Sequence, residues 1–490
     1  MFERQTMSTY KYKTKPMAHQ IEALRMLVNN GGVGGLLMEP GLGKTKVVID
    51  YLGALTVKHG SAKAFITCPL SAVDTWPDEI EKHLPDHIDR RVVVLDGPGA
   101  AKVQTVRDLP EVAGLTVVVV NLDVFSQSHT MPGTKTVTVR NAMSEAIRKQ
   151  GFEVGVVDES HRIKGYTSNV SRAMAALSED FPRRIIMTGT VAPHSPMDIF
   201  AQWRFLNPKR FGTSVVMFRD RYAVLGGFRG KQVVAFKNLD DMRRLRDKDS
   251  IVVRKDDALD LPPVTDVTHH VTLTPAEARA YTDMAEKMVI SMDGSAPHIS
   301  VNALTQWMRL RQLTSGHITD GGNVTHFGDS KIKYTSDLVA DLYDSGEKVV
   351  IFAHFVDDVK RMHAALLKRK MNTHMIYGNT KSDDRRTIRK QFLNADGPMV
   401  IVAQMRTVSL AVNEFVAASH AVFLSQSERR DDYEQARDRL NRKGQTKPVT
   451  FHHMIVRGSI DEAVMKSHTT KATLESVILD SADEIRRLGR

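Results

Sequence analysis

Val33-Gly34-Gly35-Leu36-Leu37-Met38-Glu39-Pro40-Gly41-Leu42-Gly43-Lys44-Thr45 is the stretch that decides the fold. An apolar, strand-like run from Val33 to Leu37 leads into a glycine-bearing loop, and a helix-like stretch follows from Thr45 to Leu55. Strand, loop and helix in that order aim backbone N–H groups and a helix N-terminus at one point, which suits phosphate oxygens. Lys44 is placed to reach β- and γ-phosphates and Thr45 to hold Mg²⁺. A second segment, Asp158-Glu159-Ser160-His161, closes another strand-like run, Phe152 to Val157. Asp158 there suits the metal's water shell, and Glu159 suits polarising an attacking water. The two segments together predict binding and hydrolysis of a nucleoside triphosphate.

Working outward, β-rich runs alternate with helical ones from Lys15 to about Thr190: Ala64 to Thr67, Arg91 to Leu95, Thr116 to Val120, Val154 to Val157 and Arg184 to Met187. Continuous apolar strands spaced by amphipathic stretches predict a parallel sheet covered on both faces. The pattern returns in Lys348 to Phe352, His374 to Tyr377, Met399 to Ala403, Ala421 to Leu424 and Val449 to Val456. The expected class is α/β with two doubly wound domains. The interval between them, Thr190 to Gly346, reads as poor in strands and rich in charged helix formers, and Pro262-Pro263 marks a hinge or crossing.

The 490 residues suit two to four domains, with 42% hydrophobic and 26% charged residues. No apolar run approaches the roughly 18 residues of a membrane span, and the N-terminal stretch has no signal-peptide core, so a soluble cytoplasmic protein is expected. A net charge of +11 favours a polyanionic partner. The single cysteine, Cys68, rules out an internal disulfide and a Cys-rich zinc site. The histidine pairs His269-His270 and His452-His453 lie in strand-like runs where neighbours face opposite ways, and they read as surface or core residues.

Other residues gain meaning from these two segments. Gln20, ahead of a helix that precedes the phosphate loop, has the paired donor and acceptor that read an adenine edge. Met187-Thr188-Gly189-Thr190 ends a strand with hydroxyls suited to passing hydrogen-bond changes between nucleotide and a bound strand. Arg439 and Arg442, at an i, i+3 spacing, are expected on one helical face as arginine fingers. Trp203 and Trp307 stand in apolar helical runs and read as core more readily than as base-stacking platforms.

Order and spacing of all these segments resemble the Swi/Snf-type ATPases, double-stranded DNA translocases of helicase superfamily 2, from about Lys15 to Ile478. The resemblance also rests on Thr67-Cys68-Pro69-Leu70-Ser71 with Trp76 and Glu79, on Asp158 to Lys164, on Phe205 to Gly212 and on Leu310-Arg311-Gln312-Leu313. It continues through Tyr377-Gly378-Asn379-Thr380, Arg385 with Phe392, and Gly458-Ser459-Ile460-Asp461-Glu462. The branch it resembles most is that of the annealing helicases.

The resemblance implies two RecA-like domains with helical protrusions between them: residues 1–195, a protrusion and linker at 196–262, a second protrusion at 263–335, and 336–490. It implies ATP and Mg²⁺ as cofactors, with hydrolysis where the two RecA-like domains meet. ATP is then bound by Gln20, Gly41, Leu42, Gly43, Lys44 and Thr45, the metal by Thr45 and Asp158, and catalysis falls to Lys44, Asp158, Glu159, Arg439 and Arg442. His161 and Gln435 become coupling residues. Pro69, Ser71, Thr188, Thr190, Thr407 and Ser409 border double-stranded DNA, gripped through phosphates and without sequence preference. The place of action is then the cytoplasm, with a prokaryotic or viral-host nucleoid favoured, or the nucleus of a eukaryote.

Two alternatives stand beside the translocase: a strand-separating DNA or RNA helicase, and a nucleotide-gated DNA clamp with little turnover. Departures from the family pattern bear on the second. Met38 stands where an acid is usual, Ser160 replaces an alanine, Asn441 replaces a histidine, and the stretch Arg406 to Asn413 has no glycine where a glycine-rich loop is expected.

Overall fold

The computed structural model describes residues 10–126, 139–189, 195–226, 232–293, 301–408 and 413–470. The chain divides into two units, Met1–Leu259 and Asp260–Arg490. The strands of the first unit are β1 (Val33–Met38), β2 (Ser61–Cys68), β3 (Arg90–Val94), β4 (Gly114–Asn121), β5 (Val154–Val157), β6 (Arg183–Thr188), β7 (Ala223–Gly226), β8 (Gln232–Phe236) and β9 (Ser250–Val253). Seven of them form one sheet in the order β3-β4-β2-β5-β6-β1-β9, parallel at every pairing.

Parallel neighbours need a crossover connection, so helices cover both faces and the strands are buried on both sides. In β4, every residue from Gly114 to Val120 is buried. Leu37, Phe65, Val118, Phe152 and Trp203 belong to one buried cluster. Gly34 lets the helix Ala18–Asn29 lie close on β1, since a Cβ there would stand 2.5 Å from Leu27.

In the second unit the strands are β10 (Val264–Val271), β11 (His317–Asp320), β12 (Asn323–His326), β13 (Val349–Ala353), β14 (Thr373–Ile376), β15 (Val400–Gln404), β16 (His420–Phe423) and β17 (Val449–Val456). Six build a second all-parallel sheet, β10-β17-β16-β13-β15-β14. Alternation along β13 sends Val350 and Phe352 into one core and Val349 and Ile351 into another. The fold class is therefore α/β with two doubly wound parallel sheets.

The interval expected to be helical differs in detail. It holds the helices Leu239–Asp247, Pro275–Asp293 and Val301–Leu313, but also the antiparallel hairpins β7-β8 and β11-β12. Its strands β9 and β10 extend the first and second sheets, each at an edge. Trp203 and Trp307 are both 1% exposed, as expected of core residues. No described helix is long and apolar enough to cross a membrane.

Candidate nucleotide site

The phosphate loop is held by its own glycine geometry and by contacts from two other segments. Gly43, with φ +78°, caps the helix Lys44–His59 in a left-handed conformation that favours glycine. A Cβ there would also stand 2.2 Å from Gln20 Nε2. Gln20 is buried; its Nε2 donates to the Leu42 carbonyl at 3.0 Å and its Oε1 accepts from Met17 N–H at 3.0 Å. His19 Nε2 lies 2.9 Å from the same Leu42 carbonyl. At the start of the loop, Glu39 N–H donates to the Val253 carbonyl at 3.1 Å, and Glu39 Oε2 accepts from Lys255 N–H at 2.8 Å. Lys255 comes from the interval expected to form a protrusion and linker, and nothing local to the loop announces it.

Lys44 is buried and its ammonium donates to the Met38 carbonyl at 2.8 Å. Gly41 also has a positive φ, +87°, and Thr45 is the second residue of the helix. With β6 lying between β5 and β1, the carboxyl ends of those two strands stand about 10 Å apart, two inter-strand spacings. Asp158 and Glu159 follow β5 directly, so the acidic pair and the loop share one end of the sheet, where α/β sheets bind ligands.

Asp158 N–H donates to the Thr67 carbonyl at 2.8 Å, and Glu159 N–H donates to Asp158 Oδ1 at 2.9 Å. Burial first, then the Glu159 charge, push the Asp158 carboxyl above its usual range, opposed by Lys44, the Glu159 N–H and the Trp76 indole. A buried carboxylate held against a second one suits a hard divalent cation, and the hydroxyl of Thr45 is a matching oxygen donor. Among the described residues no group of three or more His, Cys, Asp or Glu could hold a metal by itself. Mg²⁺ bound here would take its remaining ligands from phosphate and water, its usual habit.

Glu159 itself has φ 50° and ψ 52°, a left-handed backbone rare for a residue with a Cβ. His161 Nδ1 lies 3.3 Å from Glu159 Oε2 and 3.3 Å from Thr188 Oγ1, linking the acid to the end of β6. Ser160 Oγ donates to Gln202 Oε1 at 2.7 Å. Sequence reading missed Gln202, Lys255 and the Trp76 contact with Asp158.

The remaining candidates are dispersed. Pro69 precedes the short turn Leu70–Ala72 that contains Ser71. Thr190 and Ser409 lie outside the described residues. In the second unit, Thr407 Oγ1 donates to Gln404 Oε1 at 3.2 Å, and the same oxygen accepts from Gly378 N–H at 3.2 Å. The helix Arg430–Arg437 ends before the two arginines, which corrects the expectation of a shared helical face. Tight turns replace the helix, with Arg439 N–H donating to Ala436 and Leu440 N–H to Arg437, while Leu440 is buried. Arg439 Nε donates to the Gln435 carbonyl at 3.2 Å, and Arg442 donates to Asn413 Oδ1 at 2.5 Å.

Comparison with known proteins adds the following. The SNF2-related domain matches residues 19–317, and the helicase conserved C-terminal domain matches residues 330–444. The chain is 24% identical over 480 residues to the DNA annealing helicase and endonuclease ZRANB3 of Mus musculus, covering 97% of this chain and 42% of that protein. It is 23% identical over 465 residues to an uncharacterized ATP-dependent helicase of Mycoplasma pneumoniae, covering 94% and 41%. The chain thus spans about two fifths of the length of these curated relatives. A solved Sulfolobus solfataricus SWI2/SNF2 ATPase core in complex with dsDNA is similar at 20% identity and a TM-score of 0.42, covering 98% of this chain and 97% of that one.

Proposed function

The chain belongs to the SNF2-related family, and from that premise we propose that it is an ATP-driven translocase on double-stranded DNA. The observation that supports this best is the convergence of Lys44, Asp158 and Glu159 at the carboxyl end of one parallel sheet, with His161 joining Glu159 to Thr188.

Lys44 exchanges the Met38 carbonyl for the phosphate oxygens of the incoming nucleotide, so its positive charge is already in place. The loop N–H groups around Gly41, Leu42 and Gly43 add donors at the helix N-terminus. Gln20 fixes the Leu42 carbonyl, and its amide borders the adenine side. Thr45, and Asp158 through water, would hold Mg²⁺, which would supply positive charge against the phosphates. Glu159 orients water and accepts its proton. Arg439 and Arg442 are the residues proposed to stabilise charge developing on the transferred phosphoryl group. His161 reports the state of Glu159 to Thr188, and Gln435, whose carbonyl accepts from Arg439, sets the pose of that arginine.

The excess of 68 Lys and Arg over 57 Asp and Glu supports a polyanionic partner. Pro69, Ser71, Thr188, Thr190, Thr407 and Ser409 meet DNA phosphates, contacts that position the chain without reading bases. The place of action follows the substrate, a nucleoid or a nucleus. One observation favours the alternative of a DNA clamp with little turnover: Arg442 is bonded to Asn413, the last residue of the glycine-free stretch.

Triplex displacement tests the reading. A translocase removes a third strand from duplex DNA in an ATP-dependent way and leaves a blunt duplex paired. Unwinding of a tailed duplex without triplex displacement would hand the case to the helicase, and neither activity, with DNA still bound, to the clamp.

A further inference from the structure

The turn that carries Glu159 is fastened to the helix Met197–Leu206 at two points. Ser160 Oγ donates to Gln202 Oε1 at 2.7 Å, and both side chains are buried, at 0% and 5% exposure. Four residues later the Lys164 ammonium lies 3.8 Å from the carboxylate of Asp198. Asp198 and Gln202 are at an i, i+4 spacing, on one face of that helix.

The orientation of the Gln202 amide is settled by its other end. Nε2 donates to the Asp198 carbonyl at 3.0 Å, so the oxygen is the atom left to face the Ser160 hydroxyl. An alanine in place of Ser160 has no group to make this bond. The need for a fixed partner is visible in Glu159, because its left-handed backbone persists only where the surroundings hold it.

The other flank of the turn is tied differently. His161 Nδ1 lies 3.3 Å from Thr188 Oγ1, at the end of β6. Thr188 comes just before the connection 190–194, and the helix bearing Gln202 comes just after it. One short turn is therefore tied to both elements that bracket that connection, through two adjacent residues.

We propose that Gln202 is a positioning residue: acting through Ser160, it sets the direction of the Glu159 carboxylate. The role of Glu159 in ATP hydrolysis is the premise it rests on. Ser160 and Gln202 touch no nucleotide in this account; their effect passes through the backbone of the turn.

The test compares Ser160→Ala, Gln202→Leu and the double variant in the full chain, reading thermal midpoint, DNA-stimulated kcat and KM for ATP. Each single change leaves a buried polar group without its partner and lowers the midpoint, whereas the double change removes both partners and restores it. The singles are expected to lower DNA-stimulated kcat by about 10- to 100-fold through a misplaced carboxylate. KM for ATP stays within about 2-fold, since ground-state binding is untouched. The distinguishing result is the double variant, which regains stability and keeps the low kcat. Gln202→Glu, which keeps an acceptor for Ser160, recovers part of the turnover. Full recovery of kcat by the double variant, or unchanged kcat in the singles, would overturn the positioning role while leaving the ATPase reading intact. Absence of DNA-stimulated hydrolysis in the unmutated chain would instead sink the ATPase reading and, with it, this role.

Discussion

Charge is handled in opposite ways at the two sheets. At the end of the first, Asp158 and Glu159 stand side by side, and burial pushes the Asp158 carboxyl up. In the second unit three arginine or lysine side chains are matched one to one by acids. Arg311 pairs with Glu428 at 2.8 Å and lies 4.7 Å from the centre of the Trp307 ring. Lys331 pairs with Asp461 at 2.6 Å, and Arg437 pairs with Asp266. Adjacent buried carboxylates predict a ligand-binding site, and one-to-one ion pairs predict architecture. A charged helix such as Arg430–Arg437, with two arginines and three acids, carries no such signature in its composition.

The largest effects should come from the first sheet. Lys44→Ala should abolish ATP turnover, and Glu159→Gln should bind ATP yet hydrolyse it about 10²–10⁴ more slowly, as for loss of a general base. Single-turnover kinetics with a separate nucleotide-binding assay checks both. Wild-type turnover by Glu159→Gln would erase the contrast between the sheets.

Arg439 and Arg442 are the exceptions assigned to chemistry in the second unit. Either changed to alanine should lower kcat by roughly 10³-fold with ATP affinity nearly intact. Lysine should rescue poorly, because it loses the planar, multi-donor fork. If both alanine variants keep normal turnover, these arginines join the architectural group.

Lys331→Ala tests the architectural side. It strands Asp461, whose carboxylate also accepts from Thr314 and from Val456 N–H. Removing one member of a buried pair costs about 3–5 kcal/mol, a loss readable as a lower midpoint in urea unfolding. An unchanged midpoint would show that the pair is not needed.

The smallest expected effect is on pH dependence. Burial, with the neighbouring His420, His269 and His453, lowers the His452 pKa to about 4, and burial likewise lowers that of His468 to about 4. The unfolded chain takes up these protons near pH 6.5 and the folded one does not. Their contribution to stability is therefore complete above about pH 6.5 and declines by at most about 1.4 kcal/mol per pH unit for each histidine as pH falls towards 4. His452→Gln should flatten that decline in urea melts at pH 7.5, 5.5 and 4.5.

Much of this was legible where the signal is local. Residues 116–120 announce a buried central strand, and the loop at Gly41 to Thr45 carries its whole message in five residues. The edge strand β9 was not legible, and of β10 only the strand-like run around His269-His270 was. Half of Val-Thr-Asp-Val-Thr-His-His-Val in β10 is exposed, and it pairs on one side only, so no continuous apolar run marks it. Lys255 and Gln202 reach the site from 216 and 42 residues away in sequence, distances that no local pattern bridges. The helix expected beyond Arg437 failed because the buried Leu440 anchors a turn there.

The central claim, hydrolysis driven by duplex DNA, meets its most direct test in ATP turnover by the full chain with Mg²⁺ and, in parallel, no nucleic acid, single-stranded DNA, duplex DNA, branched DNA or RNA. The account predicts strong stimulation by duplex DNA and weak stimulation by RNA. Equal rates in every arm, or no hydrolysis in any, would contradict it.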